Sequence, residues 1–308
     1  MNLQEKWGIP FIIDTAIMNT DNKDHLDEQQ QFGSNSSLKS KTAFVAELVP
    51  GNRNLVEFSI ELANTPGALA EVATVLSKHQ VNILTGFHDS TQWSFFADLT
   101  KIESSIDGIV KEISSLAPVS KVFLGEGLSE GIIVDTLHQQ LMWGPFRTLI
   151  VRADVVSSIL DRVKGIFGAD GKAGKAIVYG MGEAAGRTFY RGIARQIKTE
   201  TIKSRLKDVV GLDTAQGWGD FRLTSMDLNK TTASVTVLNG FECVRLQGAD
   251  SPSATSTCDF VRGHLAGLFS EMFGKRMDAS ETLCVARGDA KCQFEIVPST
   301  TTPAKAST

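Results

Sequence analysis

The sequence predicts an α+β protein of two domains. The first is a ferredoxin-like βαββαβ unit; the second is a mixed α/β unit of antiparallel strands closing in a helix and a hairpin. Three observations carry this. The chain has 308 residues, enough for two separate cores. Residues 55–126 alternate between period-2 and period-3.6 hydrophobic patterns in the order strand, helix, strand, strand, helix, strand. Beyond residue 130 the pattern changes to longer helices, then strands, then a helix followed by a Gly-Asp turn.

In the first unit, LVEFSIEL (55–62) alternates as a half-buried strand, and NTPG follows as a turn. ALAEVATVLSKHQ then places Leu69, Val72, Ala73 and Leu76 on one helical face. VNILTGFHDS and QWSFFADLT read as the next two strands. SSIDGIVKEISSL is an amphipathic helix through Ile106, Ile109, Val110 and Ile113, and VSKVFLGE closes the unit as a strand.

In the second unit, DVVSSILDRVKGIFG reads as a helix opened by Asp154. The following segment contains GMGEAA (180–185), the glycine pattern of a dinucleotide loop. However, Ile177, Met181, Ala185, Phe189, Ile193 and Ile197 recur every fourth residue through those glycines, which favours one continuous helix. Gly182 and Gly186 then form a flat strip where another element can pack closely. KSRLKDVVGLD is a further helix. GWGDFRLTSMDL, ASVTVLNGF and ECVRLQG read as a strand meander, with Trp218 and Phe221 in core or pocket-wall positions. SATSTCDFVRGHLAGLFSEMFG is a helix ended by Gly274, and KRMDASETLCVARGDAKCQFEIV is a hairpin.

The expected division is a largely disordered N-terminal segment (1–45), a first domain (46–128), a second domain (129–298) and a disordered tail (299–308). The segment 19–42 is polar and nearly free of aliphatics, too poor in apolar surface to offset its ordering entropy. A net charge of −4 gives no electrostatic reason to expect nucleic acid or an anionic membrane as partner. No signal-peptide pattern and no apolar run of membrane-spanning length is visible, and four cysteines are too few for a disulfide scaffold. The expectation is a cytoplasmic protein.

Cys284 and Cys292 stand eight apart across a Gly-Asp turn. A hairpin centred on Gly288 would set them opposite one another, close enough to share a metal, to form a cross-strand disulfide, or to pack as small hydrophobes. Spacing alone leaves all three open. Glu281 precedes Cys284 by three residues, so on a flat strand it faces the other way; a bulge at Thr282-Leu283 would bring it round. Cys243 reads as a buried strand residue, and His264 as a core or pocket histidine.

Two resemblances add to this reading. LANTPGALAEVATVLSKHQVNILTGF resembles the opening of an ACT domain, through Asn64, Pro66, Gly67, Leu69 and Asn82. It implies binding of a small-molecule effector, such as an amino acid, at a homodimer interface, with Asn64, Gly67, Leu69 and Asn82 as ligand-binding residues. The residue types suit such a ligand. Gly67 admits close backbone approach, the helix N-terminus favours a carboxylate, and each asparagine offers a donor and an acceptor. Without a ligand, Asn64 is a turn residue and Asn82 a strand-edge residue.

From residue 130 onward the chain resembles a 4-vinyl reductase domain, through YGMGEAAGR, the Gly-Trp-Gly at 217–219 and CDFVRGHLAGLFSEMFGKRMDASETLCVARGDAKCQF. That resemblance implies a structural zinc held by Cys258, Glu281, Cys284 and Cys292. Taken together, the two modules imply a ligand-responsive regulator, acting on a protein partner after binding an amino acid or an aromatic or apolar compound. No nucleophile–base constellation stands out, so no catalytic residue is assigned and a non-enzyme is expected. The alternative is a tetrapyrrole-related reductase or carrier accessory protein.

Overall fold

The computed structural model describes residues 46–48, 53–126, 132–138, 141–143, 145–166, 171–194, 196, 201–244 and 257–300. The expected disordered segment 1–45 and residues 301–308 of the expected tail lie outside the described residues, as do Ile197 and residues 245–248 of ECVRLQG. The chain divides into two units, Met1–Pro145 and Phe146–Thr308.

The first unit begins with strand β1 (Ala46–Leu48) and continues as β2 (Leu55–Leu62), helix α1 (Ala68–Lys78), β3 (Asn82–His88), β4 (Gln92–Asp98), α2 (Ile106–Ser114) and β5 (Val119–Glu126). The main sheet runs β3-β4-β2-β5, and its described pairings are antiparallel, the ferredoxin-like order expected from the sequence. Ser105 caps α2, its hydroxyl accepting from Gly108 N at 3.2 Å. One face of the sheet carries Phe58, Ile60 and Leu62 against Val72, Leu76, Ile109 and Ile113. Phe58 stacks on Phe95 with ring centroids 5.2 Å apart.

The alternation of β2 predicts its other face to be solvated, and here the structure differs. Glu57 and Ser59 are buried, each 1% exposed. The segment 132–138, beginning as β6 (Ile132–Val134), pairs with β1 and supplies Ile133 to a small cluster with Leu55 and Phe96. Strand β7 (Leu141–Trp143) follows in this unit.

The second unit opens with β8 (Phe146–Thr148) and helix α3 (Ala153–Ile166). It continues as α4 (Lys172–Ile193), α5 (Ile202–Ala215), β9 (Asp220–Asp227), β10 (Thr232–Leu238), α6 (Asp259–Phe273), β11 (Met277–Leu283), a 3-10 turn (Val285–Arg287) and β12 (Cys292–Pro298). Its sheet is antiparallel in the order β11-β12-β10-β9. Helix α6 is buried on all sides, with Val261, His264, Leu265, Leu268 and Phe269 at most 2% exposed. It packs against β11 and β12 and against α4.

Helix α4 runs unbroken through GMGEAA, as the fourfold periodicity predicts. Its buried line departs from the predicted aliphatic stripe at Ile177 and Met181, which are exposed; Gly182 and Gly186 face inward as the expected close-packing strip, with Gly174, Val178, Tyr190 and Ile193 beside them. The cause is close backbone approach. A Cβ at Gly182 would stand 2.1 Å from the Phe260 carbonyl, and one at Gly186 2.0 Å from that of His264. From the other helix, a Cβ at Gly263 would stand 2.0 Å from the Tyr179 carbonyl and one at Gly267 2.1 Å from that of Glu183. Four glycines therefore interlock α4 and α6, and the contact sets where Cys258, at the start of α6, is presented.

Candidate functional site

The chain's four cysteines meet at the end of the second sheet, all buried and all free thiols. Cys258 is the residue from which α6 starts. Glu242, in the turn after β10, accepts from Phe260 N at 3.2 Å and Val261 N at 3.1 Å, taking up backbone donors of the first helical turn. Lys164 holds that carboxylate at 2.9 Å and the Thr257 carbonyl at 2.6 Å, which ties the start of α6 to α3.

Cys284 and Cys292 are not the directly opposed ladder pair that a simple hairpin would make. Strand β11 ends at Leu283, paired with Gln293, and Cys292 pairs with Val237 of β10. A knuckle intervenes: Cys284 leads into the 3-10 turn, Gly288 takes φ 94°, and the Asp289 carboxylate accepts from Cys284 N at 2.7 Å. Val285 N points at Cys292 Sγ at 3.4 Å. The two sulfurs approach because the chain folds back on itself between them.

Glu281 joins by the predicted bulge. The register of β11 slips between Glu281, opposite Phe294, and Leu283, opposite Gln293. One side-chain donor atom each from Cys258, Glu281, Cys284 and Cys292 then lies within 4.8 Å of every other. Glu281 Oε2 accepts from Cys258 N at 3.3 Å, while Oε1 is buried without a hydrogen-bond partner among the described residues. Burial and the Cys284 sulfur push the Glu281 carboxyl up to about 8. Hydrogen bonds from Cys243, Cys258 and Cys292 hold Cys284 far below the ordinary thiol range. Cys243 foremost pushes Cys258 and Cys292 up. A buried carboxylate oxygen without a donor, facing three thiols, is a set that a cation completes. These four residues can hold a metal.

Cys243 is the residue that sequence reasoning missed. It lies in a turn after β10, where Val244 N bonds back to Gly240 O at 2.9 Å, and not on a strand. Its sulfur is 3.2 Å from Cys292 Sγ, and Cys258 Sγ is 3.7 Å from the same atom. No spacing motif links Cys243 to the others.

His264 is a core histidine, 0% exposed, with Nε2 3.1 Å from Asp213 Oδ1. Trp218 lies over its ring at 4.7 Å, and Phe221 is buried in the same core. Neither His264 nor Asp213 touches the cysteine cluster by any described hydrogen bond.

In the first unit, Gly67 precedes α1 with φ 93°, a conformation that suits glycine, and the space beyond it is open. Asn64 is exposed in the preceding loop, Leu69 is half-buried against the core, and Asn82 is exposed at the start of the edge strand β3. The free end of α1 and Asn64 thus belong to one turn, whereas Asn82 stands on the far side of that helix in sequence.

Among the described residues, no helix is long and apolar enough to cross a membrane. No curated protein matches the chain significantly. Among solved structures, the phenol-responsive sensory domain of the transcription activator PoxR with phenol is similar at 16% identity. That similarity covers 52% of this chain and 80% of that one, with a TM-score of 0.47. A vinyl-4-reductase family protein from Methanocaldococcus jannaschii is 21% identical over 49% of this chain and 84% of its own, with a TM-score of 0.32. E. coli aspartokinase III with lysine and aspartate is 21% identical over 27% of this chain and 20% of its own, with a TM-score of 0.22. Residues 56–118 match the family model of the ACT domain and residues 235–298 that of the 4-vinyl reductase domain, so the chain carries these two domains in that order.

Proposed function

We propose that the protein is a small-molecule-responsive regulator and not a catalyst. The observation that carries this reading is the joining of an ACT domain to a 4-vinyl reductase domain in one chain. In this reading an amino acid binds at Asn64, Gly67, Leu69 and Asn82, or an aromatic or apolar compound enters the second unit. Either shifts a population of conformations that a partner protein reads. The open edge of β3, where Asn82 and Ile83 are exposed, is suited to a second copy of the chain. The protein is then a homodimer working in the cytoplasm.

The metal of the second unit is structural zinc on this proposal. Three thiolates and one carboxylate suit a four-coordinate borderline-soft cation and leave no open position for water. Zinc would supply folding energy there by tying α6 to the knuckle between β11 and β12.

A thermal-shift and calorimetric screen of the reduced full-length protein against amino acids, phenols and other small aromatics tests this reading. One class should raise Tm by several degrees, since a ligand at a hundred times its Kd adds about 2.7 kcal/mol. Asn64→Ala or Asn82→Ala should abolish an amino-acid response. A protein that ignores both classes but binds NADPH, or carries a visible chromophore, is instead the reductase or tetrapyrrole carrier.

A further inference from the structure

The outer face of the first sheet holds a second cluster, separate from the cysteines and from the regulatory reading above. Glu57 of β2 projects from the middle of the sheet and is 1% exposed. Its Oε2 accepts from Thr136 N at 2.8 Å and from the Thr136 hydroxyl at 3.2 Å. Space for it exists because position 125 on β5, directly opposite, is glycine. A Cβ there would stand 2.5 Å from Glu57 Oε2 and 2.6 Å from Thr136 Oγ1.

The other oxygen, Oε1, faces His138 Nδ1 at 3.6 Å, and that nitrogen is 3.0 Å from each of Asp135 Oδ1 and Oδ2. Asp135 Oδ1 is already engaged, accepting from Leu137 N at 3.1 Å and His138 N at 2.8 Å. Two carboxylates thus converge on one imidazole nitrogen. Among the described residues, His138 is the only cation-forming group in ion-pair range of either. Burial holds the Glu57 carboxyl above the ordinary range, with Asp135 adding to it. With both carboxylates ionised, the arrangement is one positive charge or more short of balance.

We propose that Glu57 Oε1, Asp135 Oδ2 and His138 Nδ1 form a binding site for a first-row divalent cation, of the manganese-to-zinc kind. Donors bound about 2.1 Å from one metal lie about 3.0–3.5 Å from each other, close to the 3.0 and 3.6 Å found here. One nitrogen and two carboxylate oxygens are a borderline-to-hard set, unlike the thiolates of the second unit.

The far side of the imidazole is built to orient it. His138 Nε2 lies 3.2 Å from Ser94 Oγ, 3.2 Å from Gln92 Nε2 and 3.4 Å from Ser59 Oγ. Ser94 Oγ can accept from Nε2–H, while the Gln92 amide donates to Ser59 Oγ at 2.6 Å; in that tautomer the Nδ1 lone pair is free for a metal, and the hydroxyl is the outer partner such histidines keep. A cavity of about 10 Å³ bounded by Thr85, Gly86, Phe87 and Phe96 reaches both carboxylates, giving the cation a path and room for a bound water. Bound there, the cation clamps the segment 132–138 to the sheet.

The experiment is equilibrium dialysis of chelator-stripped full-length protein against Mn2+, which thiolates bind poorly, with metal counting and Mn2+ electron paramagnetic resonance. Wild type and Cys284→Ser should each bind one Mn2+ per chain, and Glu57→Gln and His138→Gln at least tenfold more weakly. Circular dichroism checks that each variant is folded. If the variants fail to fold, paramagnetic broadening in wild-type NMR decides: loss of the His138 ring signals first supports the site, and broadening centred elsewhere overturns it. No Mn2+ uptake by wild type, or equal affinity in folded variants, means that the carboxylates merely share protons with His138, and the proposal falls.

Discussion

Cys243 Sγ lies 3.2 Å from Cys292 Sγ, half an ångström closer than Cys258 Sγ does. Two thiolates on a tetrahedral metal at about 2.3 Å are about 3.8 Å apart, the spacing shown by Cys258 and Cys292. The shorter distance suits a thiol donating to a thiolate. Cys243 would therefore support a metal held by Cys258, Glu281, Cys284 and Cys292 without binding it. We expect Cys243→Ser to keep one zinc per chain with affinity reduced about tenfold. Cys258→Ser, Cys284→Ser and Glu281→Gln should lose most of the metal. Competition with a chromophoric chelator measures all four, and a zinc-free Cys243→Ser would make Cys243 a ligand instead.

Removing the metal should expose a second consequence of the same contact. The Cys243 and Cys292 sulfurs need close only about 1.2 Å to reach disulfide length. In chelated protein, diamide should accept two electrons and two protons from these thiols and link them. The metal-loaded protein should resist, because Cys292 is then engaged. Peptide mapping without reduction identifies the pair, and equal oxidation rates with and without metal would count against it.

The interlocked glycines give opposite expectations for one substitution type. Gly182→Ala and Gly267→Ala each put a methyl about 2 Å from a backbone oxygen of the facing helix. The helices must part, costing about 3 kcal/mol or more, against a propensity gain of about 1. Gly180→Ala meets nothing within 4 Å on the same helix and should stabilise by up to about 1 kcal/mol. Urea denaturation of the three variants separates the effects. A mild Gly182→Ala would mean that the helices can slide apart freely.

The sequence reveals periodicity and local chemistry well, and through-space contacts poorly. The βαββαβ order follows from alternation in LVEFSIEL and the fourfold spacing around Val72 and Ile109. The bulge at Thr282 is legible because Glu281 could not otherwise reach the cysteines. The face of α4 is legible in part: Gly182 and Gly186 read as a close-packing strip and are one, whereas the aliphatic stripe points to Ile177 and Met181, which backbone contact leaves exposed. Cys243 and the Glu57–His138 approach involve separations of 49 and 81 residues, and neither leaves a periodic trace.

A pH dependence should arise where α4 meets α6 through charge. Glu271 receives Arg191 Nη2 at 2.6 Å, Arg191 Nε at 2.9 Å and Arg187 Nη1 at 3.1 Å. Arg191 foremost holds its carboxyl below the ordinary range. A depressed folded-state value means that the contribution is complete above the unfolded value, near 4.3, and lost as pH falls through the lower folded one. Partial exposure limits it to about 0.5–1 kcal/mol. Glu271→Gln should therefore lower Tm at pH 7 and match wild type near pH 2–3. A constant difference across that range would assign the effect to packing.

The His264–Asp213 pair poses the sharpest question about the second unit. Both residues are at most 1% exposed, and His264 Nδ1 and Asp213 Oδ2 are buried with no hydrogen-bond partner among the described residues. Such a pair is weakly stabilising, since desolvation offsets most of its attraction. Asp213→Ala strands His264 and should cost about 3–5 kcal/mol, whereas Asp213→Leu with His264→Phe should lie within about 1 kcal/mol of wild type or above it. The pair stands against Trp218 with two polar atoms unsatisfied, so the same double variant tests whether it meets a small molecule that supplies the missing partners. If it does, the double variant should keep its Tm and its metal content but lose any thermal shift that an aromatic compound produces in wild type. If it unfolds, or responds to ligand as wild type does, the pair is a structural link between α5 and α6 and the effector is recognised elsewhere.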